Sequence, residues 1–274
     1  MCVHKKVTQV GRAMLMVTAG LMAAGLLAAQ LHAQSFILSQ NGKSVGKANL
    51  SLKQAAGGFD ASSEVKIDMP DLKYNFSNKQ ILDGSYHLRS SELKGSVNGT
   101  SAMVTTIQQG TQFLMKINAN GQATNTPLTF HPQSVLYPDF DPGALQLMLY
   151  LGAARNNRDI WAIIPKQAGS ISALRIATDA DRQGTLDGVQ IPVHHFTVTL
   201  DTTKAEVFSS PRNELLQAEW SDEGFAIVRD GFKLTPPARP SAPPPAPAQP
   251  PAGQQGQQAQ PNGQAPQQAP QPQQ

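Results

Sequence analysis

Asn-Gly and Asp-Gly dipeptides at 41–42, 83–84, 98–99, 120–121 and 187–188 punctuate this chain between runs of alternating residues. From Phe36 to about Gly121, apolar residues between them recur at every second position. Both central residues of a type I′ turn need positive φ, which Asn, Asp and Gly tolerate best. Phe59, Ala61, Val65, Ile67 and Met69 share one face, while Asp60, Ser62, Glu64, Lys66 and Asp68 share the other. Ala48, Leu50 and Leu52 alternate with Lys and Asn in the same way, as do Leu72, Tyr74 and Phe76. This is the pattern of strands with one wet side, joined by hairpins into an antiparallel meander.

One segment breaks the rhythm. Asp141 to Gly152 reads as a helix: Asp141 can accept first-turn amides, Pro142 suits the first helical position, and Gly152 is the expected stop. Leu145, Met148 and Leu149 form one side, and Leu147, Tyr150 and Leu151 cover most of the other. A helix apolar nearly all round must be buried nearly all round. It is too short to cross a bilayer, which takes about 20 apolar residues. Arg155-Asn156-Asn157-Arg158 is its polar exit. Strands are expected again at 160–164, 170–177, 193–200, 215–220 and 225–234.

The expected fold is therefore mainly β: an antiparallel meander curled into an open half-barrel around one central apolar helix at about 141–152. An apolar sheet face that curls leaves a hollow, and an apolar hollow is the default ligand site. Leu145, Leu147, Met148, Leu149, Tyr150 and Leu151 are the expected contacts with an apolar ligand there. Each well-buried large side chain also contributes roughly 1.5–3 kcal/mol, so the helix alone could keep the hollow shut.

The ends read differently. Lys5, Lys6 and Arg12 precede an apolar run from Ala13 to Ala29, and Leu31-His32-Ala33 approximates a cleavage site. This is the pattern of a secretory signal peptide, residues 1–33, cleaved near Ala33. An N-terminal membrane anchor is the alternative. The whole chain carries +3, equal to the charge of the leader, so the mature protein is near neutral and no nucleic-acid surface is expected. The single cysteine, Cys2, leaves with the leader, which excludes disulfides, thiolate catalysis and cysteine metal sites from residues 34–274. Residues 34–235 form one domain, large enough to bury about 70% of its unfolded surface. Residues 236–274 are almost wholly Pro, Gln, Ala and Gly, and are expected to be a disordered tail with polyproline stretches.

The order of elements carries a resemblance. The leader and opening strand, Asn41-Gly42-Lys43-Ser44-Val45-Gly46, the meander, the Asp-Pro helix and the closing Leu215-Leu216-Gln217-Ala218-Glu219-Trp220 strand resemble a family of exported bacterial proteins of unknown function. That family is similar in architecture to the periplasmic lipoprotein carriers of the localisation pathway, open β half-barrels closed by helices. The resemblance covers about residues 36–234. It implies an envelope location, periplasmic or secreted, and binding of an acyl chain or other apolar ligand. No functional residue of a carrier maps onto this chain, and the Pro/Gln tail departs from the carrier pattern.

Motifs of chemistry are explained by structure. Gly42-Lys43-Ser44-Val45-Gly46 fits G-x-S-x-G, but that Ser must sit between a strand and a helix, and a strand pattern follows here. A hydrolase using Ser44 is the least favoured function. Neighbouring His194 and His195 point to opposite strand faces and so do not readily share an ion. His194 is expected to be packed beside Phe196 and Val198, and His195 exposed. Asp179-Ala180-Asp181-Arg182-Gln183-Gly184 lacks the fifth-position and twelfth-position ligands of a calcium loop. Asp139 and Asp141 read as turn and cap residues, and Trp161, Trp220 and Tyr150 as core. No catalytic residue, metal or cofactor is expected. The expected partner is a lipid or other apolar ligand, and no membrane span is expected after leader cleavage. An envelope protein bound through the tail, in a structural or adaptor role, is the alternative.

Overall fold

The computed structural model describes residues 33–236, apart from Ala56 and Gln167. The expected signal peptide before Ala33 and the tail beyond Pro236 lie outside the described residues.

The alternation becomes a meander of eight strands: β1 (Gln34–Gln40), β2 (Lys43–Ala55), β3 (Gly58–Asp68), β4 (Lys73–Asp83), β5 (Leu88–Val97), β6 (Thr100–Gln109), β7 (Gln112–Ala119) and β8 (Gln122–Thr129). Each pairs antiparallel with the next. Along β4, Tyr74, Phe76, Asn78, Gln80 and Leu82 are buried, while the odd-numbered residues between them stay exposed. The hairpin dipeptides behave as their chemistry requires at four places. Asn41-Gly42, Asn98-Gly99, Asn120-Gly121 and Asp187-Gly188 all have paired positive φ, from +50° to +82°.

Asp83-Gly84 is a correction. The tight turn expected there is a longer loop, in which Tyr86 takes φ +62° and the Asp83 carboxylate accepts the amides of Ser85 and His87, each at 2.9 Å. Arg89 Nη2 closes on the same carboxylate at 2.7 Å. The Tyr86 ring stacks on Phe59 at 4.4 Å, so a non-local contact fixes the loop.

After β8 the chain enters the hollow. The short β9 (Ser134–Leu136) pairs in parallel with β10 (Ile160–Ile164), and α1 (Pro142–Arg155) lies between them in sequence. Asp141 caps α1, accepting the Gly143 amide at 2.8 Å. Gly152 does not end the helix, which runs three residues further and stops at Asn156 in the left-handed region, φ +52°. Gly152 is small because Asn157 folds back on it: the Asn157 amide bonds its carbonyl at 2.9 Å, and a Cβ there would meet Asn157 Oδ1 at 2.6 Å.

The second half continues the same sheet with β11 (Ser170–Thr178), β12 (Arg182–Leu186), β13 (Val189–Leu200), β14 (Thr203–Ser209), β15 (Leu215–Trp220), β16 (Phe225–Arg229) and β17 (Phe232–Leu234). Neighbours pair from β10 through β11, β13, β14 and β15 to β16, and β16 pairs with β1. The result is a mainly antiparallel open half-barrel around one apolar helix. Helix α1 touches β2 and β3 on one side and β10 and β15 on the other. Leu50, Val65, Phe76, Met115, Val207 and Ile227 share the core with it.

Residues 225–234 are not one strand as expected. The Asp230-Gly231 turn, with Gly231 at φ +79°, splits them. The second piece, β17, leaves the main sheet and pairs with β12, which in turn pairs with the first part of β13. These strands bury Val193, Phe208, Leu216 and Phe232 in a second small core. Val207 and Phe208 are adjacent and both buried, so β14 is covered on both faces.

Candidate functional site

The six apolar residues expected to meet a ligand are packed in the core against the sheet. Leu145, Leu147, Met148, Leu149 and Leu151 are 0–4% exposed. Tyr150 is half-buried, its ring 6.1 Å from that of Tyr86. Burial raises the Tyr150 hydroxyl to about 12, with Glu214 and Tyr86 adding to it. Leu149 borders a pocket of about 140 Å³ with Gly152, Ile176 and Phe196 at the end of the helix. That is well below the roughly 300–1,000 Å³ typical of small-molecule sites. The helix thus fills the middle of the hollow.

A larger cleft of about 390 Å³ opens at the other end, beside the entry to α1. Its position follows from the chain path. Tyr137 is tied by its amide to the Ile163 carbonyl at 2.8 Å, and the chain then turns through Phe140 at φ +59° to reach the cap at Asp141. That turn places the Phe140 ring against Phe225 at 4.4 Å and edge-on to Tyr74 at 5.8 Å. Trp220 lies 6.0 Å from Phe225, completing an aromatic floor. Ile164, Val198, Leu200 and Ala205 form the walls, since here the concave faces of β10, β13 and β14 extend past the helix.

The rim is polar. Lys166 Nζ meets Asp139 Oδ1 at 2.8 Å, and Asp201, Thr202, Thr203 and Glu223 complete the edge. The hydroxyl of Tyr74 donates to the Asp139 carbonyl at 3.2 Å. Burial raises the phenols of Tyr74 and Tyr137 well above their usual value, and the charges of Asp139 and Asp141 push the same way, so both remain neutral. Among the described residues the cleft presents an apolar, aromatic interior under a charged mouth.

Asp139 and Asp141 take the separate turn and cap roles read from the sequence. Asp139 is 44% exposed in its ion pair. Asp141 is buried, accepts from Asn78 and the Gly143 amide, and its carboxyl is held above its usual pKa by burial, which outweighs the hydrogen bonds from Ser63, Asn78, Gly143 and Ala144.

The histidines face opposite ways, but their exposures reverse the expectation. The His195 side chain is 14% exposed and that of His194 37%. His195 stacks on Phe208 at 4.5 Å under the second small core, with Glu206 Oε2 at 3.6 Å and Asp179 Oδ2 at 3.9 Å. Among the described residues no group of three or more His, Cys, Asp or Glu side chains is arranged to hold a metal. Ser44 lies exposed in β2 directly after a hairpin turn, with no strand–turn–helix elbow around it. Asp181 pairs with His194 at 3.1 Å, and Asp179 accepts from Thr197 Oγ1 at 2.7 Å. Trp161 stacks on His131 at 3.6 Å, away from the cleft.

Of the cleft, sequence reasoning singled out Trp220, Asp139 and Val198, and assigned all three to structure. The readable signal was the cluster Tyr137-Pro138-Asp139-Phe140, two aromatics and an acid around a proline just before a cap. Lys166, Asp201 and Glu223 carry no local mark.

No family model matches this chain. No curated protein matches it. A DUF1089 family protein from Pseudomonas aeruginosa, known from its crystal structure, is similar at TM-score 0.36 and 10% identity, over 62% of this chain and 87% of that one. A likeness at that score carries no argument about fold or function. Among the described residues no helix is long and apolar enough to cross a membrane, which says nothing of strands.

Proposed function

We propose that this is an exported, non-enzymatic envelope protein that binds an apolar or amphiphilic ligand at the open mouth of its half-barrel. The observation that carries this reading is the cleft of about 390 Å³ with an aromatic floor and a polar rim. Its volume falls at the low end of small-molecule sites, which pair an apolar lining with a few polar groups. A short acyl chain or a compact ring system fits this volume, and the rim suits a polar head kept in water. The leader motivates export, and the resemblance to lipoprotein carriers agrees with a ligand of this class. The site differs from the one the helix alone suggested, because the helix packs the centre of the hollow.

The test is to express the full chain with its leader, recover it from the envelope without detergent, and extract it with organic solvent for mass spectrometry. The expected results are a mature N-terminus near Gln34 and a co-purifying amphiphile. Absence of extractable ligand, together with no rise in Tm on adding short-chain amphiphiles, overturns the reading.

A further inference from the structure

The mouth of the cleft bears an imbalance of charge. Four charged side chains line it: Asp139, Lys166, Asp201 and Glu223. Lys166 and Asp139 neutralise each other at 2.8 Å. Asp201 and Glu223 enter no ion pair among the described residues. They come from different elements, the β13–β14 turn and the short 3-10 turn Ser221–Glu223, and the fold brings both to one opening. The rings of Trp220 and Phe140 line the same cleft, and aromatic faces attract a cation within about 6 Å of the ring centre.

Resting on the ligand-binding reading above, we propose that the cleft selects an amphiphile with a cationic head, an ammonium or guanidinium group on a short apolar body. The apolar body occupies the floor between Phe140, Leu200 and Trp220. The head sits at the rim between Asp201 and Glu223, where it is attracted by two carboxylates that form no ion pair among the described residues. An anionic head meets the same two carboxylates and is repelled. The charged mouth therefore discriminates among heads, while the floor sets affinity for the apolar body.

The chain has two tryptophans, which makes the cleft directly observable. Trp161→Phe removes the one away from the cleft and leaves Trp220 as the sole tryptophan, excited selectively over the tyrosines. In that background the full chain is titrated with three amphiphiles of equal tail, each below its micelle concentration: octyltrimethylammonium, octyl glucoside and octyl sulfate. Octyltrimethylammonium is expected to bind about tenfold more tightly than octyl glucoside, the scale of one cation–π contact plus partly exposed charge pairs. Octyl sulfate is expected to bind weakest. The cationic preference should shrink with added salt, because the rim is exposed. In Asp201→Asn/Glu223→Gln the ratio of cationic to neutral affinity should fall toward one.

Equal binding of the cationic and neutral probes overturns the head-group inference and leaves the ligand-binding reading standing. So does a cationic preference that survives the double substitution, because the two carboxylates are then not its source. Failure of all three probes to change the Trp220 signal or the Tm overturns the ligand-binding reading itself.

Discussion

The side-chain amide of Gln80 satisfies both backbone groups of Leu136: its Nε2 donates to the Leu136 carbonyl at 3.0 Å, and its Oε1 accepts the Leu136 N–H at 2.8 Å. Gln80 projects from the concave face of β4, so one glutamine replaces a strand partner and moors β9 inside the hollow. Gln146 of α1 does the same for β15, donating to the Asn213 carbonyl at 2.7 Å and accepting the Leu215 N–H at 2.8 Å. These two amides connect the inserted segment to opposite sides of the half-barrel.

Gln80→Met keeps the volume and removes both bonds, leaving a buried N–H and C=O unpaired. Each unsatisfied group costs about 1–3 kcal/mol, so the variant should lose about 2–6 kcal/mol. Urea unfolding of the purified protein measures this. A loss under about 0.5 kcal/mol, the range of ordinary surface changes, would show that β9 is not held this way.

Leu147 and Met148 lie in the packed centre of the hollow. Leu147→Ala and Met148→Ala should each cost about 2–5 kcal/mol, the lost transfer energy plus the cavity left behind. If either substitution proves neutral in thermal and chemical unfolding, the helix is not the plug of this half-barrel.

Asp141 makes stability depend on pH. Burial raises its folded-state pKa above the unfolded value near 3.9. Its contribution is therefore complete below the unfolded pKa and is lost as pH rises through the raised folded pKa. Asn caps helices comparably and does not titrate here. The Tm of Asp141→Asn minus that of the native chain should fall steadily as the buffer is taken from pH 7 toward pH 4. A difference flat across that window contradicts the buried carboxyl as the titrating group.

Gly95 and Gly99 separate two roles of glycine. Gly99 sits at φ +82° with nothing near its missing side chain, so Gly99→Ala should cost about 1–2 kcal/mol of backbone strain. Gly95 lies in mid-strand opposite Phe76, and a Cβ there would stand 2.0 Å from the Asn75 carbonyl oxygen and 2.7 Å from the Phe76 ring. Gly95→Ala should be the more destabilising, and the reverse order in melting experiments would mean that β4 yields there.

The hairpins and the helix were legible because each rests on neighbours in sequence. Asn98-Gly99 needs only its own backbone to turn, and Asp141-Pro142 needs only the first helical amides. The Asp83 loop was misread because its shape depends on Arg89 and on Tyr86 stacking against Phe59. The split at Asp230-Gly231 carries the same local Asp-Gly signal as the other turns, whereas the pairing of β17 with β12, some fifty residues back, has no local sign. The misjudged exposure of His195 has a related cause: the small core built by β12, β13 and β17 covers the outer face of β14.

The amino-acid order alone determined a meander of half-wet strands, turns of the right hand, and an apolar rod that had to be enclosed. All of these follow from periods of two or of about 3.6 residues, which the chain carries locally. Only the tertiary structure decided how far the rod fills its enclosure and where the space remains. Alternation marks which face of a strand is apolar but not what covers it. The open end beside Phe140 and Trp220 therefore exists only once β1 has paired with β16, some 190 residues later, and the open sheet has curled around the helix.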